Sequence, residues 1–464
     1  MSERVRRLLA DTLDELPPGP LLAAFSGGLD STVLLHALAD SSMARTRGLR
    51  AVHIDHGLHG ASADWARQCR AFAQTLGVEL IQRTVAVARD GGLGLEANAR
   101  RARYGAIQAL LAPGEIVALA HHRDDQAETV LLKLLRGAGP EGIGAMHPLR
   151  RMGRGLAWRP LLDLPRAALR AYAERHRLTW IADPSNTDTT LDRNFLRMQV
   201  IPRIVHRWPA APASLAQSAA WARAAAQFID GEAQRALAHT QGPAPSTLRF
   251  RDWLALPLAL RDPLLRRWLR ALNLPEPTHF QAEELARQLE EAGADRQPCV
   301  RWPGAEIRRY RDLLYALPPL QPPPSGWTAA FDGGDLALPA DLGVLRLTSP
   351  TCSPCLSPAL CVRFRRGGES LRPAGSEHTR ELRNLFQEAG IPPWQRARLP
   401  LLFDRDGTLI AVADLWLSTA GSRLFAEHEA CLEWVGTQLA GQAQPSFASS
   451  YLQQIGHSAT DRFI

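Results

Sequence analysis

Two short stretches concentrate side chains that could handle a nucleotide. The first, Ser26-Gly27-Gly28-Leu29-Asp30-Ser31, puts two hydroxyls, two glycines and a carboxylate into six residues. Glycines let a backbone approach an anion closely, and N–H groups at a helix start attract phosphate. Ser26 and Ser31 add hydroxyl donors. Asp30 would repel a bare phosphate but suits Mg²⁺, which bridges phosphate oxygens and neutralises their charge. The second stretch, His121-His122-Arg123-Asp124-Asp125-Gln126-Ala127-Glu128, holds two imidazoles and three carboxylates. One aspartate would cap a helix, so this density exceeds what local structure requires.

The elements that must position these groups follow from periodicity. Leu21 to Phe25 is a continuous apolar run that suits a buried parallel strand, and Val33, Leu34, Leu35, Ala37 and Leu38 suit a helix packed on a sheet. The glycine-rich turn is neither a GxxxxGK(S/T) loop nor a GxGxxG fingerprint. Further strands are expected at 49–56, 78–87 and 115–120, with helices between them. The second strand ends in Asp55 and His56, a position where open α/β sheets make ligand contacts. Arg100 and Arg103 share a face with Glu96 on a helix over 95–111. The third element of interest is a glycine loop, residues 136–146, after the acidic helix. A helix over 165–178, a turn at 183–186 and a basic cluster with Arg193 and Arg197 complete the region. Strands alternating with helices imply an α/β fold with a doubly wound parallel sheet.

At 464 residues the chain exceeds one ordinary core and suggests two to four domains. Net charge is +7, the sign expected for a partner rich in phosphate. Lys133 is the only lysine, so the basic character is carried by arginine, whose guanidinium suits phosphate recognition. No run has the length and apolarity of a membrane span, and the charged start MSERVRRLLADTLDEL does not read as a signal peptide. The expected location is therefore cytoplasmic, with no membrane partner. The six cysteines are too scattered for a disulfide framework, and Cys352, Cys355 and the nearby Cys361 lack a fourth zinc ligand at suitable spacing.

Composition shifts divide the chain into a catalytic domain at 1–210, a mostly helical middle domain at 211–326 ending in a proline-rich linker, a small α+β domain at 327–440, and a polar tail at 441–464. Residues 363–398 hold eight arginines against four glutamates, interleaved with Gly367, Gly368, Phe386 and Trp394. That mixture suits a shaped phosphate-binding surface made by Arg365, Arg366, Arg372, Arg380, Trp394, Arg396 and Arg398.

The loop SGGLDS resembles the pyrophosphate loop (PP-loop) of the N-type ATP pyrophosphatases, which have Rossmann-like sheets. The whole set resembles the bacterial tRNA(Ile)-lysidine synthetases: SGGLDS, IDHGL at 54–58, EANARRARY at 96–104, HHRDDQAET at 121–129, RPLL, DPSN, RNFLR, RRGGESLRP at 365–373 and LFQEAGIPPWQRARLPLLF at 385–403. Ala138 departs from the serine or threonine usual there, which removes a hydroxyl contact. The resemblance implies adenylation by ATP of the wobble cytidine of a CAU anticodon at O2, followed by attack of free L-lysine at C2.

It further implies that Ser26, Gly27, Gly28, Leu29, Asp30, Ser31 and His56 bind ATP, with Mg²⁺ on Asp30. Asp30, Asp125 and Arg103 would be catalytic, and His121, Asp124, Asp125, Glu128 and Arg100 would meet lysine or cytidine. Arg193 and Arg197 join the C-terminal arginines as expected tRNA contacts, and a homodimer is compatible with the family. The rival is a PP-loop tRNA thiolation enzyme, in which sulfur is the final nucleophile. Cys69 is the one cysteine near the catalytic sheet, which speaks against that chemistry.

Overall fold

The computed structural model describes residues 2–57, 60–87, 95–293, 296–350, 356–357 and 359–435. The chain forms two compact units, Met1–Phe228 and Ile229–Ile464.

The first unit is built on six strands: β1 (Leu21–Ala24), β2 (Leu49–Asp55), β3 (Glu79–Thr84), β4 (Ile116–Ala118), β5 (Leu149–Met152) and β6 (Gly155–Trp158). Their order is β3-β2-β1-β4-β6-β5, parallel throughout except for the β5–β6 hairpin. That hairpin extends the four expected strands by two. Side-chain alternation explains how both faces are covered. Leu21, Ala23, Ala51, Ile116 and Ala118 join one core, whereas Leu22, Val52 and Val117 join another on the opposite face. Helices α1 (Ser2–Asp14), α2 (Leu29–Ala39), α3 (Ser42–Thr46) and α4 (Ser62–Thr75) contribute to the first core; Ile107 and Leu111 at the end of α5 (Leu95–Leu110) cover the second. Helix α2 is buried at nine of its eleven positions, as a helix pressed onto a sheet requires.

Two crossovers leave neighbouring strands in sequence-distant order. Strand β1 leads into α2, and its neighbour β4 leads into α6 (Arg123–Leu135), so the two chemically dense stretches emerge side by side at the strands' carboxyl ends. After α6 come α7 (Pro140–Ile143), α8 (Arg166–Arg175) and α9 (Asp192–Phe195). A π-helical turn, Leu196–Val200, continues into α10 (Ile201–Arg207) and then α11 (Ala211–Thr240).

The second unit holds more sheet than its alanine- and leucine-rich start suggests. Four antiparallel strands, Thr247–Arg249, Leu313–Leu317, Ala305–Tyr310 and Cys299–Trp302 in spatial order, share a core with the helices Leu258–Ala271 and His279–Glu291. A separate core lies under a five-stranded sheet that includes Leu360–Arg363, Leu401–Phe403 and Leu409–Val412. Cys352, Cys355 and residues 441–464 lie outside the described residues, so the readings placed on them are not addressed by the structure.

Candidate active site

The phosphate loop is held open by its own side chains. Ser31 Oγ accepts the Ser26 amide at 3.2 Å, lies 3.1 Å from Ser26 Oγ and donates to the Gly28 carbonyl at 3.0 Å. Gly27 sits at φ +84°, and a Cβ there would come within 2.5 Å of Ile181 Cδ1 and 2.8 Å of Cys69 Sγ. Glycine is therefore required at 27 for conformation and for space. Gly28, the N-cap of α2, has ordinary φ and supplies no side-chain cap, so no side chain occupies the helix's first amides.

Across from the loop, His122 caps α6. Its Nδ1 accepts the Asp125 amide at 3.3 Å while Asp125 Oδ2 accepts the His122 amide at 3.1 Å, a reciprocal box that fixes both side chains. Nε2 of the buried imidazole is left facing Asp30 Oδ2 at 3.6 Å and Asp125 Oδ2 at 3.4 Å. Burial works against an imidazolium here, but Asp125, Asp30 and Asp124 outweigh it and raise the pKa of His122. Asp30 is held below its ordinary value: burial opposes ionisation, and His122, Arg166 and Arg197 overcome it. Asp30 Oδ1 is buried with no hydrogen-bond partner. That oxygen, which has Arg166 Nε at 3.7 Å but accepts no hydrogen bond, would suit a Mg²⁺ shared with substrate phosphates, and among the described residues there is no cluster that could cage a metal by itself.

One helical turn into α6, Glu128 is 1% exposed and accepts two bonds from Arg197, at 2.6 and 3.0 Å, with Arg193 Nε at 3.2 Å. Arg197 also reaches Asp125 Oδ1 at 3.0 Å. Arg193 and Arg197, expected on the tRNA surface, are thus turned inward, because a buried glutamate cannot stay ionised without cations beside it. Asp124 accepts the Arg166 amide at 2.8 Å, which caps α8 where Pro165 provides no side-chain bond.

A basic flank completes the site. Arg100 lies 5.2 Å and Arg103 5.9 Å from the centre of the Tyr104 ring. Burial and the charge of Arg103 hold His56 below its ordinary pKa, and burial with Arg159, Arg100 and Arg193 holds His121 well below its own against the opposing pull of Asp125. Both imidazoles are therefore neutral near pH 7, and the Nδ1 of each is buried without a hydrogen-bond partner. The structure brings together Ser26, Asp30, Ser31, Asp124, Asp125 and Glu128, with His121 and His56 near the arginines.

Two contributors, Arg223 and Arg159, were missed in the sequence, and Gln126 was named there only as part of the dense polar stretch. Gln126 clamps the glycine loop through both Met146 backbone groups, at 3.0 and 3.1 Å; Arg223 reaches Gly144 and Met146 carbonyls at 2.8 and 3.2 Å. Arg159, only 4% exposed, donates to the His147 carbonyl at 2.7 Å. Arg159 lies in the RPLL motif, which was a usable signal; Arg223 had none.

The expected C-terminal contacts divide in two. Arg366 and Arg372 are exposed. Trp394 instead packs edge-on against Tyr310 and Tyr315, at 6.2 and 5.4 Å between centroids, and Arg396 bonds the Ile391 carbonyl and the Tyr310 hydroxyl. Arg398 bonds the Gln321 carbonyl, Arg380 pairs with Glu388, and Arg365 lies 3.7 Å from Glu369. The aromatic that looked free to stack on a base is committed to packing.

Comparison with known proteins agrees with this geometry. Residues 1–204 match the model of a PP-loop domain, 248–315 a TilS substrate binding domain and 360–434 a TilS substrate C-terminal domain. The tRNA(Ile)-lysidine synthase of Xanthomonas campestris is 43% identical over 92% of this chain and 97% of its own. That of Alkalilimnicola ehrlichii is 43% identical over 89% of this chain and 94% of its own. A solved U34-tRNA thiolase from Methanococcus maripaludis aligns at TM-score 0.38 and 18% identity over 47% of this chain and 77% of its own, too distant to carry an argument.

Proposed function

The chain belongs to the tRNA(Ile)-lysidine synthase family, and from that premise we propose a division of labour among its residues. It is an ATP-dependent carbon–nitrogen ligase acting on tRNA(Ile). The observation that carries the residue assignment is the convergence of Asp30 and Asp125 on one imidazole nitrogen, at 3.6 and 3.4 Å. It joins the phosphate loop to the acidic start of α6.

In the first step the cytidine O2 forms a bond to the α-phosphorus of ATP and the bond to the pyrophosphate oxygen breaks. Ser26, Ser31 and the uncapped amides of α2 hold the leaving pyrophosphate, His56 is assigned to ATP, and Arg103 to a phosphate or the lysine carboxylate. Mg²⁺ on Asp30 would offset phosphate charge. In the second step the lysine amine bonds to C2, the C2–O bond breaks and AMP leaves. An amine of pKa near 10.4 costs about 4–5 kcal/mol to deprotonate at neutral pH. Asp125 is ionised because His122, through its charge and its backbone amide, and Arg193 outweigh its burial, so it binds the ammonium and takes up its proton on the way to bulk water. Glu128 acts through Arg197, fixing Asp125.

In the second unit, we assign RNA backbone contacts to the exposed Arg366 and Arg372 within 327–440. A cytoplasmic location belongs to the same reading, since tRNA and ATP are found there; no helix among the described residues is long and apolar enough to cross a membrane. Sulfur chemistry has less support: burial pushes the Cys69 thiol up to about 12, so it stays protonated and a poor nucleophile.

The deciding assay combines the protein, ATP, Mg²⁺, labelled L-lysine and unmodified tRNA(Ile) with a CAU anticodon. Lysine is expected in RNA through a base-stable bond, and Asp30→Ala should abolish it. ATP cleaved to AMP and pyrophosphate without lysine incorporation would assign a different nucleophile.

A further inference from the structure

The segment from Asp192 to Trp208 has two faces of opposite character. Inward, Arg193 and Arg197 are tied to Glu128 and Asp125. Outward, Phe195 is 48% exposed, Met198 42% and Trp208 61%. The π-helical turn at Leu196–Val200 lets one short segment do both, and such turns recur at functional sites. Beside Trp208 lies a cavity of about 620 Å³ lined by Leu131, Ile204, Arg207 and Leu215. A neighbouring one of about 370 Å³ is lined by Phe195, Arg203 and Ile204. Among the described residues, no aspartate or glutamate lines either. The Arg207 guanidinium lies 5.7 Å from the Trp208 ring centre.

We propose that this outward face is a stacking surface for unpaired nucleotides of the substrate RNA next to the reacting cytidine. The inference rests on the function above and adds a surface to it. Exposed aromatic rings beside arginine, with the one acid of the segment, Asp192, paired to Arg136 and none lining either cavity, match what single strands bind: every base has a π-face and every linkage a negative charge. A protein partner would instead favour a core depleted of charge. Position agrees. Phe195 and Met198 flank Arg197, which bonds Asp125, and Trp208 follows eleven residues on, about 16 Å along a helix, so an RNA whose cytidine is splayed into the site has neighbouring nucleotides within reach of this face.

The test uses the full chain. Affinity for unmodified tRNA(Ile) is measured at fixed salt by fluorescence anisotropy, beside lysine incorporation at saturating tRNA. Trp208→Ala should weaken binding roughly tenfold, within the range for one lost stack, and Trp208→Phe should retain most of it. KM for lysine and the rate at saturating tRNA should not change. Arg207→Gln should lower the salt slope by about one. Unchanged tRNA affinity in Trp208→Ala overturns the proposal. So does a loss that coincides with a dimer becoming a monomer by sedimentation, because a second copy would then be the occupant. Lysine incorporation by the unaltered protein judges the enzymatic function separately, whatever happens at Trp208.

Discussion

Glu128 in the first unit and Glu369 in the second are both buried glutamates ringed by arginine, yet they move to opposite sides of the ordinary carboxylate range. Glu128 is raised: burial dominates, the like charge of Asp125 adds to it, and Arg197 and Arg193 only partly offset them. Glu369 is lowered: burial is outweighed by the Arg366 amide at 2.6 Å, the Arg363 guanidinium at 3.0 Å and the Gly367 amide at 2.9 Å. The difference is one of donors. Backbone N–H groups carry no mobile charge and are already oriented, so they stabilise an anion without importing competitors. Glu369 thus pins a turn, while Glu128 shares its cations with the site.

That contrast can be broken by experiment. The largest effect is expected from Glu128→Gln, which releases Arg197 and lets Asp125 drift; lysine incorporation should fall on the order of 100-fold, as misplacement of a reacting group does. Its thermal midpoint should hold or rise slightly, since neutralising a carboxylate with a raised pKa removes a penalty. Loss of stability with activity retained would reverse the assignment. Next comes Glu369→Gln, expected to lose about 1–3 kcal/mol in urea unfolding at pH 7, because two amides and a guanidinium lose their anion. Incorporation per folded molecule should be preserved at low temperature.

The pH dependence sharpens the same pair. A depressed folded-state pKa gives stability that is complete above the ordinary value near 4.3 and lost as pH falls through the folded value. The gap between the unaltered protein and Glu369→Gln should therefore close in acid. A raised pKa works the other way, its penalty present at neutral pH and relieved as pH falls, so any advantage of Glu128→Gln should also vanish in acid, from the opposite sign. Urea titrations from pH 7 to 3 would detect both. The smallest effect is expected at the exposed Arg372, near the pinned turn: Arg372→Gln should weaken tRNA binding a few-fold and lower the salt slope by about one, without changing the melting profile.

How much of this was legible varied with range. The loop at 26–31 and the acidic helix start were legible because strand and helix periods are local and the chemistry lies in adjacent residues. The β5–β6 hairpin was missed, since LRRM and GLAW are short and do not alternate cleanly. The antiparallel sheet around Leu313–Leu317 was hidden for a related reason: its strands of three to six residues sit among stronger helical signals. Charge counting placed Arg193, Arg197 and Trp394 on an RNA surface, but a side chain's partner depends on what another element brings to it.

The sequence by itself determined the phosphate loop, the parallel α/β architecture and the residue types available for adenylation. It did so because strand burial, helix pattern and glycine placement are set by neighbours along the chain. Only the tertiary structure decided that His122 joins Asp30 to Asp125, that Glu128 turns two arginines inward and that Trp394 serves packing while Trp208 faces water. These outcomes follow from desolvation and from Coulomb forces between groups far apart in sequence, which take a value only once the fold has fixed their distances.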